Sequence, residues 1–143
     1  MKTLGTKIRE FALIVFSILG LADTLFLFVQ DQKGTVGQFC EAVGGAFGSN
    51  CERVLTSKYA EVAGIGLTLW GILYYISLVW ISIWSRFEPG PSRAPKFFLA
   101  AISGVGLAAS LFLTYLQAFV IKAWCPFCLI SAAITALIFI LSM

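Results

Sequence analysis

The chain has 143 residues, of which 59% are hydrophobic and 12% charged, with a formal net charge of +3. Ordinary soluble domains are less apolar, and the small, scattered positive charge excludes nucleic acid as a partner. The chain has no histidine, so the usual acid–base group near neutral pH is missing, and its four cysteines are the candidate redox groups. We therefore predict a single membrane-embedded domain over residues 1–143.

Four apolar runs predict helices that cross a bilayer, because a hydrocarbon core of about 30 Å needs about 20 helical residues. The predicted spans are residues 8–30, 62–84, 97–121 and 126–143, and the last of them is the shortest. The first run is too long for a signal peptide and no small-residue cleavage site follows it. The predicted fold is an all-α membrane protein, a four-transmembrane-helix bundle.

Residues 31–60, between the first two spans, are predicted to form a long polar external loop that carries Cys40 and Cys51. A capping-box pattern, Ser-x-x-Glu, begins at Ser49 and predicts a short helix near 49–57. Cys51 then lies in a first helical turn, where the helix dipole favours a thiolate. A loop of about 30 residues between membrane helices is long enough to carry function.

The last apolar run opens with a Cys-x-x-Cys motif in residues 124–128, Trp-Cys-Pro-Phe-Cys. Pro126 suits the first helical position, since its missing N–H would be unpaired there. If Cys125 caps the helix, Cys128 lies among the unpaired N–H groups, where a thiolate is favoured. The alternatives are two inert hydrophobic residues, or half of a zinc site built from all four thiolates. We predict a redox pair and no metal.

The basic residues favour one orientation in the membrane. Six lie on one side of the predicted spans: Lys2, Lys7, Arg9, Arg86, Arg93 and Lys96. Four lie on the other side: Lys33, Arg53, Lys58 and Lys122. The positive-inside rule places both termini and the 85–96 loop in the cytoplasm. All four cysteines are then outside, in the oxidising compartment.

Two cysteine pairs on one side of the membrane predict an electron relay. The loop pair can meet external thiols, and the Cys125/Cys128 pair lies at the membrane edge, within reach of a lipid-soluble carrier. Exchange between the pairs requires a thiolate to attack a disulfide sulfur. Without histidine, metal or nucleotide motif, a quinone is the acceptor that fits best. A structural disulfide between Cys40 and Cys51 is the alternative for the loop pair.

The motifs occur in this order: Cys40, Cys51, Arg53-Val-Leu-Thr-Ser57, Gly64-Ile-Gly66, Trp70-Gly71, Tyr74-Tyr75 and Cys125-Pro-Phe-Cys128. Over nearly the whole chain this order resembles the vitamin K epoxide reductase family, specifically its bacterial members. The resemblance implies a four-helix bundle around a quinone, ubiquinone or menaquinone, in the bacterial inner membrane. It also implies a separate thioredoxin-like (DsbA-like) thiol oxidase outside the cytoplasm as electron donor, and the membrane quinone pool as acceptor.

The resemblance also implies a role for each cysteine. Cys128 corresponds to the cysteine nearest the quinone ring, and Cys125 to its disulfide partner. Cys51 corresponds to the loop cysteine that attacks Cys125, and Cys40 to the cysteine that exchanges with the partner protein. The family activity is then a thiol oxidoreductase that supports disulfide bond formation outside the cytoplasm.

Three further residues correspond to positions around the quinone in the family. Ser57 resembles the loop-end serine that approaches the quinone headgroup, and a helix-terminal polar residue is the alternative interpretation. Trp70 and Tyr75 correspond to aromatic pocket residues, for which apolar packing is an equal interpretation. Leu67 and Ala132 replace a polar amide and a tyrosine of the animal members. These two differences disfavour the alternative activity, reduction of vitamin K or its epoxide.

Two other functions stay open from the sequence. A DsbB-type quinone oxidase also has four helices and four cysteines, but its Cys-x-x-Cys comes in the first external loop, the reverse of the order here. A membrane adaptor with a structural disulfide would not be an enzyme. Asp23 lies deep inside the first predicted span, whereas the other acid of that span, Glu10, lies at its start. Such a residue is a functional candidate, although it could instead be paired or face external water.

Overall fold

The computed structural model describes residues 2–44, 51–88 and 93–143, and this part of the chain is almost entirely helical. The elements are α1 Lys2–Lys33, α2 Val36–Gly44, α3 Cys51–Leu55, β1 Glu61–Val62, β2 Ile65–Gly66, α4 Leu67–Phe87, α5 Ala94–Tyr115, a π-helix Leu116–Ile121, and α6 Pro126–Ser142. The side chains of Cys51 and Glu52 lie outside the described part, as does the whole of Ser49, so the predicted capping box lies outside it as well.

Three helical segments are long and apolar enough to cross a membrane: Leu4–Lys33, Leu67–Phe87 and Ala94–Ile121. They correspond to the first three predicted spans, with the first longer at both ends than predicted. Helix α6 is also apolar, but its 17 residues make it shorter than the other three. The chain is therefore an all-α membrane protein.

The four longest helices in the described part pack in a ring. Helix α1 contacts α4 and α6, and α5 contacts the same two neighbours from the other side. All four contribute to one buried cluster: Leu13, Tyr75, Leu78, Ile81, Leu99 and Ile138. Between membrane helices such packing depends on close contact and hydrogen bonds, because lipid tails are as apolar as leucine.

Two glycines allow tyrosine rings to enter this packing. A Cβ atom at Gly20 on α1 would overlap the ring of Tyr75, and one at Gly106 on α5 would overlap the hydroxyl end of Tyr74. Helix α5 therefore approaches Tyr74 closely at Gly106. The two adjacent tyrosines reach opposite walls of the bundle from one turn of α4.

Large apolar side chains cover the outside of the helices. Examples are Trp80, Phe87, Phe97, Val105 and Phe119, each at least 68% exposed. An exposed apolar surface of this extent does not occur on a water-soluble monomer. These side chains are lipid-facing groups of the membrane helices.

The region predicted as a polar loop, residues 31–60, contains more helix than expected. Helix α1 continues to Lys33 and ends at Gly34, whose φ of 68° lies in the left-handed region that favours glycine. Helix α2 follows at once and buries Val36 and Cys40. The sequence reading missed α2 because nine residues of mixed polarity resemble a loop when their packing partner is unknown.

The second predicted span began at Val62, but residues 61–66 form a small hairpin and α4 begins at Leu67. Glu61 pairs with Gly66 and Val62 with Ile65. The two residues between the strands have φ values of 56° and 76°, as a type I′ turn requires at both central positions. The indole N–H of Trp70 donates to the Val62 carbonyl at 3.2 Å, which ties the hairpin to α4.

The third predicted span ends in a π-helix, Leu116–Ile121, rather than in regular α-helix. Lys122 follows in the left-handed conformation with φ 54°, and the N–H of Ala123 donates to the carbonyl of Gln117 at 3.1 Å. Gln117 is 4% exposed. π-Helical turns are frequently found at functional sites, and this one directs a buried amide toward the start of α6.

Candidate active site

Cys125 caps α6 as predicted, with Pro126 in the first helical turn. The backbone N–H of Cys128 donates to the Cys125 sulfur at 3.4 Å, and the Cys128 thiol donates to the same sulfur at 2.6 Å. Both cysteines are free thiols. The sulfur atoms are closer than non-bonded sulfurs ordinarily approach, so the pair is placed to close a disulfide.

The negative charge of the reduced pair is favoured at Cys125. The hydrogen bond from the Cys128 thiol lowers the pKa of Cys125 and outweighs burial of the sulfur and the charge of Asp23, which both raise it. The sequence interpretation placed the thiolate at Cys128 instead. The structure differs because both the N–H and the S–H of Cys128 are directed at Cys125.

Gln117 supports this cap from the π-helix. Its side-chain oxygen accepts from the backbone N–H of Cys125 at 3.4 Å. Both residues are buried, so the otherwise unpaired N–H has a partner. Sequence reasoning missed Gln117, and the available signal was an isolated amide inside an apolar run.

The structure brings Cys40 to the Cys-x-x-Cys pair. Cys40 and Cys125 are both 0% exposed and belong to one buried cluster, against which Cys128 packs. Cys40 is disulfide-bonded. The sequence predicted a mobile loop cysteine open to external thiols, whereas Cys40 lies inside the protein on α2.

Three aromatic rings connect the two cysteine segments. Phe26 on α1 packs edge-on against Phe39, with centroids 5.4 Å apart, and also against Phe127, at 5.5 Å. Phe39 precedes Cys40, and Phe127 lies between the two cysteines of the motif. Each such ring pair contributes about 0.5–1.5 kcal/mol to stability beyond the burial of its surface. Phe26 on α1 therefore helps to hold the segment of Cys40 next to the segment of Cys125 and Cys128.

A cavity of about 320 Å³ lies beside these cysteines. The predicted quinone-pocket residues line it together: Ser57, Trp70, Tyr75 and Cys128. Leu67 and Ala132, the positions that differ from the animal members, line it too. Ser57 also donates to the Val54 carbonyl at 2.8 Å, so it ends α3 and faces the cavity at the same time.

A cluster of hydroxyl groups forms one wall of the cavity. The hydroxyl of Tyr75 lies 3.0 Å from the carbonyl oxygen of Ser131, 2.8 Å from its Oγ, and 3.1 Å from Oγ1 of Thr135. Tyr74 also lines the cavity, and its buried hydroxyl has no hydrogen-bond partner among the described residues. Sequence reasoning named neither Ser131 nor Thr135, because single hydroxyl residues within an apolar run give no pattern signal.

The lining fits a quinone. The volume lies within the range of about 300–1,000 Å³ that small-molecule sites occupy, and apolar walls with a few polar groups are typical of them. A quinone ring is flat and apolar, with two carbonyl oxygens that accept hydrogen bonds. The unpartnered hydroxyl of Tyr74 would be the donor that holds it, and Cys128 would be its neighbouring thiol. Ser57 would contact it from the cavity wall and could donate to it only after giving up the Val54 carbonyl.

Replacing Tyr75 with phenylalanine should destabilise the protein by about 1 kcal/mol, because the hydroxyl cluster loses its central member inside the membrane. Titration with a denaturing detergent, followed by circular dichroism, measures the change. The matched control is Tyr115→Phe, since Tyr115 is 55% exposed and stacks only on Phe119 among the described ring contacts. Equal stability of the two variants would contradict a structural role for the cluster.

The profile of the Vitamin K epoxide reductase family matches residues 11–143, which include all four cysteines and every described residue that lines the cavity. No curated protein matches the chain. The sequence match extends from the first membrane helix to the last residue, and the geometry adds a thiol pair of which one member, Cys128, lines an apolar cavity. The chain therefore belongs to the vitamin K epoxide reductase family.

Proposed function

We propose that the protein takes electrons from a separate thioredoxin-like thiol oxidase and passes them through two cysteine pairs to a quinone. Membership of the family makes the chain a membrane thiol oxidoreductase. The proposal adds the donor, the relay and the acceptor. Its product is disulfide bonds outside the cytoplasm of a bacterial cell, with both termini inside and the cysteines outside.

One observation carries the proposal: the loop cysteine, the Cys-x-x-Cys pair and the cavity are contiguous. Cys40 and Cys125 share a buried cluster, and Cys128 belongs both to the edge of that cluster and to the cavity wall. The proposed path for electrons runs from the loop pair through Cys125 and Cys128 to the cavity by thiol–disulfide exchange. A structural disulfide alone would not need a thiol pair beside a cavity.

The oxidation states fit one stage of this relay. Cys40 is disulfide-bonded, while Cys125 and Cys128 are thiols. In the proposed series of steps, the Cys51 thiolate attacks Cys125 of the inner disulfide, which joins Cys125 and Cys128. Cys128 then leaves as a thiolate. Cys40 then attacks Cys51, which reforms the loop disulfide and releases Cys125. A loop disulfide beside a reduced Cys125/Cys128 pair, the inner pair, corresponds to the stage after this transfer, with two electrons held by the inner pair.

Access for the donor protein requires movement of α2. Cys40 is 0% exposed, so an external thiolate cannot reach its sulfur while α2 is packed against the cluster. The α2 helix has nine residues, and isolated helices of that length are marginal in water. We therefore propose that α2 opens when the donor protein binds and closes again for the internal exchange.

Stoichiometry tests the proposed function. The purified protein in lipid nanodiscs, given a reduced thioredoxin-fold thiol oxidase and a short-chain ubiquinone or menaquinone analogue, should form one quinol per donor disulfide. Quinol is measured by absorbance and disulfide by alkylation and mass spectrometry. A variant with both Cys125 and Cys128 replaced by alanine is the control. Donor oxidation without quinol, or equal quinol from the control, would contradict the proposal.

A further inference from the structure

Asp23 is a carboxyl group inside the apolar first membrane helix. It lines the cavity, and its Oδ2 is buried without a hydrogen-bond partner in the described part of the chain. It is the one carboxylate among the described residues that line the cavity. It is also close enough to the inner pair for its charge to act on the sulfurs of both Cys125 and Cys128.

A structural role does not account for this placement. An ionisable group within a membrane span is costly, and one that only stabilises a fold is held by an ion pair or hydrogen bonds. The neighbouring Thr24 is satisfied within α1, since its hydroxyl donates to the Gly20 carbonyl at 3.0 Å and gives nothing to Asp23. Asp23 therefore retains proton-accepting capacity at the cavity wall.

We propose that Asp23 carries the proton of the Cys128 thiol to the acceptor bound in the cavity. This inference rests on the proposed function, because it requires a quinone-class acceptor there. When the inner pair is oxidised, an S–S bond forms, two S–H protons are released, and two electrons pass to the acceptor, which gains two O–H bonds.

Cys125 is buried while α2 is packed, so it loses its proton to external water when α2 opens, consistent with its lowered pKa. The Cys128 proton passes to the Asp23 carboxylate and from there to one acceptor oxygen. External water returns one proton to the second oxygen, so the two protons released equal the two protons taken up. The other polar groups near this site are hydroxyls and the Gln117 amide, which are poor proton acceptors at neutral pH.

The first measurement needs no quinone. Infrared difference spectra between the dithiol and disulfide forms of the full chain should contain a carboxyl band that is lost in Asp23→Asn. The matched control is Asp31→Asn, which makes the same chemical change on the same helix at a residue that does not line the cavity. A difference spectrum that is the same in wild-type protein and Asp23→Asn would overturn the proposal.

The second measurement follows single-turnover reduction of a water-soluble naphthoquinone by the reduced protein. Asp23→Asn should slow this step about 100-fold or more, as expected for loss of a proton-transfer group. Asp23→Glu should retain most of the rate, and added formate should restore part of it in Asp23→Asn. Exchange between the loop pair and an external dithiol should stay at the wild-type rate.

The outcomes separate this inference from the function on which it rests. If wild-type protein reduces no quinone, the proposed function fails. If wild-type protein reduces it and Asp23→Asn does so at the same rate, the role of Asp23 alone fails. A slow Asp23→Asn variant that formate does not rescue, while Asp23→Glu is equally slow, would show that the residue only supports the fold and would also overturn the proposal.

Discussion

Cys128→Ala is expected to abolish quinone reduction and to leave Cys125 able to form a stable mixed disulfide with Cys51. In the proposed relay Cys128 is the sulfur on the cavity wall and the partner of Cys125 in the inner disulfide. Without it, the Cys125 thiolate attacks Cys51 of the loop disulfide and releases Cys40, and only the return of Cys40 can break the new bond. The trapped Cys51–Cys125 bond would appear as a shifted band on non-reducing gels and as a cross-linked peptide by mass spectrometry. The loss of turnover should be complete.

Cys125→Ala is the matched variant, because it removes the other sulfur of the same pair. It should also abolish turnover, but without the trapped bond, since Cys125 is the sulfur in the cluster with Cys40. Trapping in Cys125→Ala and not in Cys128→Ala would show that the two roles are exchanged. Full turnover in either variant would exclude the relay.

Gly20→Ala should cost about 1–3 kcal/mol of stability, the range for overpacking a tight interface. The added Cβ overlaps the Tyr75 ring, which cannot rotate away without breaking its contacts to Ser131 and Thr135. Displacing the ring also changes the cavity wall, so the KM for a quinone analogue should rise. Detergent-denaturation midpoints and steady-state kinetics in nanodiscs measure the two effects.

Gly5→Ala is the control for this prediction. Gly5 lies on the same helix, and a Cβ atom there would meet nothing within 4 Å. The stability of Gly5→Ala should equal that of wild-type protein or exceed it slightly, because alanine favours helix. If Gly20→Ala unfolds at the same detergent concentration as Gly5→Ala, the close contact between α1 and α4 does not limit stability.

The parts of the site that could be predicted from the sequence depend on short-range chemistry. Pro126 after Cys125 indicates a helix start, and the three-residue spacing of the cysteines places Cys128 N–H beside the cap, as the structure has it. The apolar runs indicate the membrane helices because the bilayer requires a minimum length. Each of these signals lies within about 20 consecutive residues and does not depend on which other segments of the chain pack against them.

The parts that could not be predicted depend on tertiary contacts. Burial of Cys40 follows from packing of α2 on the cluster around Cys125, which lies far along the sequence. The hairpin after α3 requires positive φ at Ala63, a residue that does not indicate such a turn. The π-helix that directs Gln117 inward has no periodicity signal, since a π-turn and an α-turn share the same apolar pattern.

Burial of the two sulfur atoms affects which molecules can reach the inner pair. Cys125 is 0% exposed, and Cys128 lines an apolar cavity at the start of α6. A quinone dissolved in the lipid is apolar enough to enter such a cavity from within the membrane. A small water-soluble thiol would have to give up its hydration to reach either sulfur, so external thiols should not reduce the pair directly.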